Sequence, residues 1–440
     1  MSNKPPAVTM KPDGKPVLTP KLRFPEFRDG PGWTTETLGS VASLSTEKVG
    51  DKNCIPMSIT SGVGLVSQLE KFGRIIAGTS YKNYLLLKKN DFAYNKSATK
   101  EYPEGFIALY LGDELAAVPN SIFTCFRIKG SSPAPKYLNY LFLGNLHGQW
   151  LRKFIEVGAR AHGSLSIDDD DLLALPVPLP KGESSLVEQQ EIAECLSSVD
   201  ELIAAQARKL DALKTYKKGL MGQLFPREGE TLPRLRFPEF QDAPEWINDS
   251  LGTIFETTSG GTPSRSIKEY WNGVIPWITT SLVNFRVITE AEEFISEEGL
   301  NNSSAKLFPK GTTLIAMYGQ GKTRGQVALL GIEAATNQAC AAILPRKEID
   351  SHFVFLNLAG RYEELRELSN SGGQENLSQG LIKGMPFSYP LDAAEQRKIT
   401  TCLSSLNELI AAQSDKLEAL KTHKKGLMQQ LFPYPEEVEA

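Results

Sequence analysis

Residues Val187–Pro226 recur as Ala394–Pro433: at an offset of 207, 28 of the 40 positions are identical. A second pair of anchors lies upstream. Lys21–Phe27 reads KLRFPEF and Arg234–Phe240 reads RLRFPEF, an offset of 213, each followed by a tryptophan (Trp33, Trp246) and by Leu-Gly (Leu38-Gly39, Leu251-Gly252). Between the anchors, Ser40–Pro180 and Thr253–Pro390 show little similarity. Each half is therefore a variable region followed by a nearly constant segment. A repeat of about 210 residues is too long for a solenoid unit and reads as duplicated domains.

The constant segments read as helices. Ser185-x-x-Glu188 and Asp392-x-x-Glu395 are capping-box-like starts. Prolines precede them, and Phe-Pro ends them at Pro226 and Pro433. Leu196, Ile203, Leu210, Lys217 and Leu224 fall at heptad position a, and Ile192, Val199, Gln206, Leu213 and Leu220 at d. The second copy places Leu403, Ile410, Leu417, Lys424 and Leu431 at a, with Ile399, Leu406, Gln413, Leu420 and Leu427 at d. Such spacing predicts an antiparallel coiled coil of the two helices, with Leu196, Ile203, Gln206 and Leu210 pairing with Leu403, Ile410, Gln413 and Leu417. Gln206 and Gln413 would meet near mid-seam and fix register at some cost in stability. The other reading leaves each amphipathic helix packed on its own domain.

The expected fold is mixed α/β of the α+β kind: two globular domains joined by two long helices in a pseudo-twofold internal duplication. The expected boundaries are a disordered lead-in over 1–20, a first domain over 21–183, a helix over 184–226, a second domain over 227–390, a helix over 391–433 and a tail over 434–440. Five widely spaced cysteines without a CxxC pair fit reduced thiols in a cytoplasmic protein. No apolar run approaches the roughly 20 residues that span a bilayer.

The net charge is −4, unlike the strongly basic balance of a DNA-coating protein. Lys71–Lys100, however, holds seven Lys/Arg and one acid, with Tyr81, Tyr84 and Tyr94 interleaved. Lysines neutralise phosphate and tyrosines pack on sugar, so this stretch is a candidate DNA face; the bland alternative is a solvated face with its tyrosines in the core. In the second region, MYGQGKTRGQVALL from Met317 carries Lys322 and Arg324 on a glycine-rich turn. It is not a Walker A loop, because Ala316 replaces the first glycine and GQVALL reads as a strand. A glycine-rich tip suits close approach to a nucleic-acid backbone or groove, or is a plain hairpin turn. Upstream, Thr257–Ser281 is dense in Gly, Ser and Thr. Methyltransferase tetrapeptides, Walker A, HExxH and GxSxG are all missing, and the acids Asp168–Asp171 read as a loop or cap. No catalytic or metal-binding residue is expected.

Several of these stretches resemble the specificity subunits of type I restriction–modification enzymes. They are TSGGTPSR with EYW and IPWI, LIAMYGQGKTRGQVALL, EAATNQACAAILP and GGQENLSQGLIKGMPFSYPLDAAEQRKI, with DFAYNKS and LPVPLPKGESSLVEQQEIAECLSSVDELI in the first half. The first variable region lacks the SGGTP and MYGxxxG patterns. The resemblance implies that each variable region is a target recognition domain reading half of a bipartite, asymmetric DNA site, and that the helices set the spacer. It implies double-stranded DNA, two methyltransferase subunits and up to two restriction/translocase subunits as partners, and no membrane. This chain would bind no cofactor, the partners using S-adenosylmethionine, ATP and magnesium. Candidate DNA-binding residues are Lys82, Lys88, Lys89, Tyr94, Lys96, Lys100 and Arg160 in the first domain. In the second they are Ser259, Thr262, Arg265, Tyr318, Lys322, Thr323, Arg324, Gln374 and Asn376. Methyl transfer by the isolated chain would indicate an enzyme instead, and loss of sequence-selective, salt-dependent DNA retention a coiled-coil adaptor.

Overall fold

The two constant segments form helices Ser185–Leu224 and Ala393–Leu431 in the computed structural model, which describes residues 18–60, 62–155, 165–227, 229–319, 322–368 and 376–433. The expected tail over 434–440 and most of the lead-in lie outside the described residues. The chain divides into two units: unit 1 comprises 1–206 with 416–440, and unit 2 comprises 207–415. Both division points fall inside the long helices, so each unit contains the start of one and the end of the other.

In unit 1 the strands are β1 (Trp33–Thr37), β2 (Ala42–Leu44), β3 (Ile55–Thr60), β4 (Gly64–Ser67), β5 (Leu85–Leu87), β6 (Phe92–Asn95), β7 (Phe106–Leu109), β8 (Ala116–Val118), β9 (Phe123–Ile128) and β10 (Pro176–Pro180). They build sheets of order β2-β9-β6-β7 and β4-β3-β8-β5, with a β1–β10 ribbon. Helix Pro135–Leu143 lays Tyr137, Leu138, Leu141 and Phe142 on the first sheet. The core cluster it joins also takes in Ile192, Ala193 and Leu196 from one long helix and Met428, Leu431 and Phe432 from the other. Rising numbers on the first helix meet falling numbers on the second, since Lys424 pairs with Asp200 at 2.6 Å. The helix segments of this unit are thus antiparallel.

Unit 2 contains β11 (Ile247–Ser250), β12 (Thr257–Ser259), β13 (Trp271–Ile278), β14 (Val287–Ile288), β15 (Glu293–Ile295), β16 (Leu307–Phe308), β17 (Thr313–Ala316), β18 (Val327–Leu330), β19 (Ala334–Thr336), β20 (Cys340–Ile343) and β21 (Pro386–Tyr389). Its sheets run β12-β20-β17-β18-β14 and β15-β13-β19-β16, with a β11–β21 ribbon. Apart from the added β14, strand order matches unit 1 one for one. The pairing senses match as well: β3–β8 and β13–β19 are parallel, while β6–β7 and β17–β18 are antiparallel hairpins. Helix Ser351–Gly360 covers the sheet as Pro135–Leu143 does, and Met221, Leu224, Phe225, Ile399 and Leu403 join its core. The variable regions, dissimilar in sequence, are one fold built twice.

The repeated KLRFPEF and RLRFPEF pieces have a shared task. In unit 1 the Arg23 guanidinium donates twice to Glu188, at 2.7 Å each, and Trp33 Nε1 donates to the same carboxylate at 3.1 Å. In unit 2 Arg236 donates twice to Glu395 at 2.8 Å and Trp246 Nε1 donates at 3.1 Å. Both carboxylates are buried. The capping-box reading is corrected here: neither glutamate turns back to its helix start. The next residue is shared work too. Gln189 Oε1 accepts from the Ala134 amide at the head of helix Pro135–Leu143, and Gln396 Oε1 accepts from Asp350 at the head of Ser351–Gly360.

Candidate nucleic-acid interface

A hairpin loop in each unit occupies the same place in the fold. Residues 96–105 join β6 to β7, and 317–326 join β17 to β18. Both loops return through a glycine at positive φ, Gly105 (80°) and Gly325 (84°), a conformation that a side chain disfavours. Both are held at their base alike: Leu165 donates its amide to the Lys96 carbonyl, and Leu377 to that of Met317. The framework is common and the residues carried on it differ.

In unit 1 the loop carries Lys96, half-buried, and Lys100, exposed; neither has an acidic partner within 4 Å among the described residues. The other basic candidates are less available. Lys82 pairs with Asp51 at 2.6 Å, Lys88 with Glu47 at 2.8 Å and Lys89 with Asp113 at 2.6 Å. Lys52 and Lys88 beside Glu47 hold its carboxyl down at about 2. Three of the seven basic side chains of this window are therefore paired with acids outside it.

Tyr94 requires a correction. It is fully buried, its hydroxyl donates to the Glu104 carbonyl at 2.8 Å, and burial drives its pKa far up. A side chain so placed cannot touch DNA. Tyr81 and Tyr84 pack edge to face, 5.6 Å between centroids, against the small cluster of Val49 and Leu86. Arg160 lies outside the described residues.

In unit 2 Tyr318 and Lys322 are exposed on the loop, with Thr323 and Arg324 half-buried beside them. Ser259 is half-buried on β12, and Thr262 donates to the Gln338 side chain at 2.5 Å. Arg265 lies 3.6 Å above the Trp271 ring and pairs with Glu293 at 2.5 Å, so its guanidinium is already stacked and paired. Asn376 is exposed; Gln374 lies outside the described residues.

Sequence reasoning missed the residues that support the loops. Tyr362 donates to the Lys322 carbonyl at 2.6 Å, Arg366 donates to the Tyr362 hydroxyl at 2.8 Å, and Phe285 meets the Tyr362 ring edge-on at 5.2 Å. In unit 1 the corresponding supports are Arg152, bonded to Glu104, and His147, whose Nε2 lies 3.1 Å from the Gly105 carbonyl. Burial holds His147 down at about 4, hence neutral. In the sequence nothing local ties these residues to the loops they support, which lie more than 30 residues away. Asp168–Asp171 open a short helix, with Asp169 accepting from Thr124. Among the described residues no three His, Cys, Asp or Glu side chains are grouped to hold a metal ion, and no helix is long and apolar enough to cross a membrane.

Residues 244–422 match the family model of the type I restriction modification DNA specificity domain. The MjaIX specificity subunit of Methanocaldococcus jannaschii is 32% identical over 182 residues, covering 40% of this chain and 41% of the relative. The EcoR124I/EcoR124II specificity subunit of Escherichia coli is 28% identical over 242 residues, covering 53% and 56%. The chain spans about half the length of these relatives. Among solved structures, a chain from a study of type I R-M assembly superposes with a TM-score of 0.61 at 17% identity, covering 91% of this chain and 97% of that one. The type I R-M S subunit from M. genitalium superposes at 0.52 with 18% identity, covering 95% and 100%. These superpositions show the fold.

Proposed function

We propose that this chain belongs to the type I restriction–modification specificity-subunit family and is the complex's non-catalytic, DNA-reading subunit. Each unit reads one half of a bipartite, asymmetric duplex target. The long helices set the spacer between half-sites and dock two methyltransferase subunits, with up to two restriction/translocase subunits added for cleavage. Adenine methylation and ATP-dependent cleavage are the partners' work, as is the binding of S-adenosylmethionine, ATP and magnesium. The setting is the cytoplasm. In this reading Gln206 and Gln413 fix the register of the helix pair, and the domain limits are 21–183 and 227–390.

One observation carries the reading: two hairpin loops equivalent in fold, 96–105 and 317–326, bear unlike polar residues on like frameworks. Like frameworks dock on duplex in the same manner, and unlike tips read unlike bases. Lys100 and Lys322 suit phosphate; Arg324 suits a bidentate contact to guanine.

Exchange of Ser40–Pro180 for the corresponding region of a relative tests it. The hybrid, assembled with its methyltransferase partners, should methylate a target altered in one half only. A folded hybrid altered in both halves would overturn independent reading. Inserting one heptad after both Gln206 and Gln413 should lengthen the gap and leave the bases unchanged; a changed half-site with an unchanged gap would overturn the spacer role.

A further inference from the structure

Unit 2 contains a cavity of about 740 Å³ between its helix segments and its recognition domain, within the range typical of small-molecule sites. Lys214, Lys217 and Lys218, on one face of a long helix, line it with Arg227. Glu363 and Glu364 are its acids, and Glu364 is taken by Arg361 through a 2.5 Å ion pair.

The duplication supplies an internal control. In unit 1 Lys421 pairs with Glu418 at 2.8 Å, and Lys424 pairs with Asp200 at 2.6 Å beneath the Tyr140 ring. Tyr140 also donates to Asp200 at 2.8 Å. The repeat places Lys214 and Lys217 at the positions of Lys421 and Lys424; Asp211 keeps the place of Glu418, but Asn407 stands where Asp200 does. Neither Lys214 nor Lys217 has an acidic partner within 4 Å among the described residues. Burial pulls the Lys217 ammonium below the usual lysine range, so it lacks the compensation its twin has.

A second observation points the same way. Asn357 lines the cavity, is 4% exposed, and its Oδ1 has no hydrogen-bond partner. The equivalent position in helix Pro135–Leu143 is the apolar, buried Leu141. A buried amide left unsatisfied is costly unless something completes it. The remaining wall is apolar, with Met221, Phe225 and Ile410. Three lysines outweigh what a single carboxylate neutralises, and lysine binds phosphate as a point charge. An apolar wall with carboxamides suits the base.

We propose that this cavity binds a nucleotide, its phosphate held by Lys214, Lys217 and Lys218 and its base set against Phe225 and the Asn357 amide. The site is independent of the loop reading, because none of these residues lies on the hairpin loop. The phosphate can belong to a free nucleotide or to a nucleotide within a DNA strand.

The test is calorimetric titration of the full chain with adenosine 5′-monophosphate and, separately, with inorganic phosphate. One saturable site for the nucleotide is expected. Asn407→Asp, which recreates the acid that unit 1 already accommodates, should weaken binding at least tenfold, as should Lys217→Gln. Asn357→Leu should weaken the nucleotide more than inorganic phosphate. Thermal melts of each variant check folding. Displacement of the nucleotide by scrambled duplex DNA assigns the site to strand phosphate; retention in excess duplex assigns it to free nucleotide. Lack of saturable nucleotide binding, undiminished binding in folded Asn407→Asp, or nucleotide binding no tighter than inorganic phosphate would overturn the proposal.

Discussion

The two long helices keep 28 of 40 residues in common, whereas the domains at 42–128 and 257–343 keep their strand order and almost no readable sequence. The difference follows from what each region must satisfy. In the sheets, short strands such as β6, β8, β17 and β20 are buried along their whole length, and many apolar side chains of suitable volume fill such a layer. On the helices, positions such as Glu188 and Gln189 each meet specific polar partners and tolerate few alternatives. Similarity between the halves therefore includes helix positions where hydrogen bonds, not volume, decide the residue.

The strongest way to break this comparison is to remove the shared carboxylate. Glu188→Ala should destabilise unit 1, and Glu395→Ala unit 2, each by roughly 3–5 kcal/mol, because Arg23 or Arg236 is left buried without its counter-charge. Hydrogen exchange resolved by unit should show each loss confined to its own unit. Equal loss in both units from one substitution would contradict the equivalence.

Acid sharpens the comparison, since His147 sits in unit 1 at a support that unit 2 fills with Tyr362. Its folded pKa is depressed from 6.5 to about 4, so protons bind the unfolded form more readily. The stability it contributes is complete above about pH 6.5 and is lost as pH falls towards 4, amounting to about 3 kcal/mol in full. Exchange protection of β6 and β7 should fall over that window by more than that of β17 and β18. In His147→Gln the excess should vanish; its persistence would place the sensitivity in other groups.

The smallest effects belong to the loop tips. Arg324→Ala should cost roughly 1–3 kcal/mol on the cognate target and relax one or two positions of one half-site. Lys322→Ala should weaken binding to all sequences and lower the salt slope by about one phosphate contact, as should Lys100→Ala in the other loop. Salt titrations on cognate and scrambled duplexes, with the methyltransferase partners present, measure both. Parental binding by all three variants at every salt concentration would make the loops structural.

The reach of the sequence followed how far apart the interacting residues lie. The long helices were legible because an apolar period of three and four is a local property, and Leu196, Leu210, Leu403 and Leu417 are indeed buried. The hairpin carrying Lys322 and Arg324 was legible too, since its glycines and the following GQVALL strand adjoin in the chain. The charge of Lys71–Lys100 could not show that Lys82, Lys88 and Lys89 pair with Asp51, Glu47 and Asp113, because those acids lie outside any local window.

What the sequence by itself determined is the duplication, the two helices and the family resemblance, each written in contiguous residues. Only tertiary structure decided that Tyr94 is core, that Glu188 and Glu395 face arginines more than 150 residues away, and that the unlike domains are one fold. The physical reason is shared by all three. A buried tyrosine, a buried ion pair and a strand order depend on which distant segments supply the partners, and that choice is made when the sheets and helices pack.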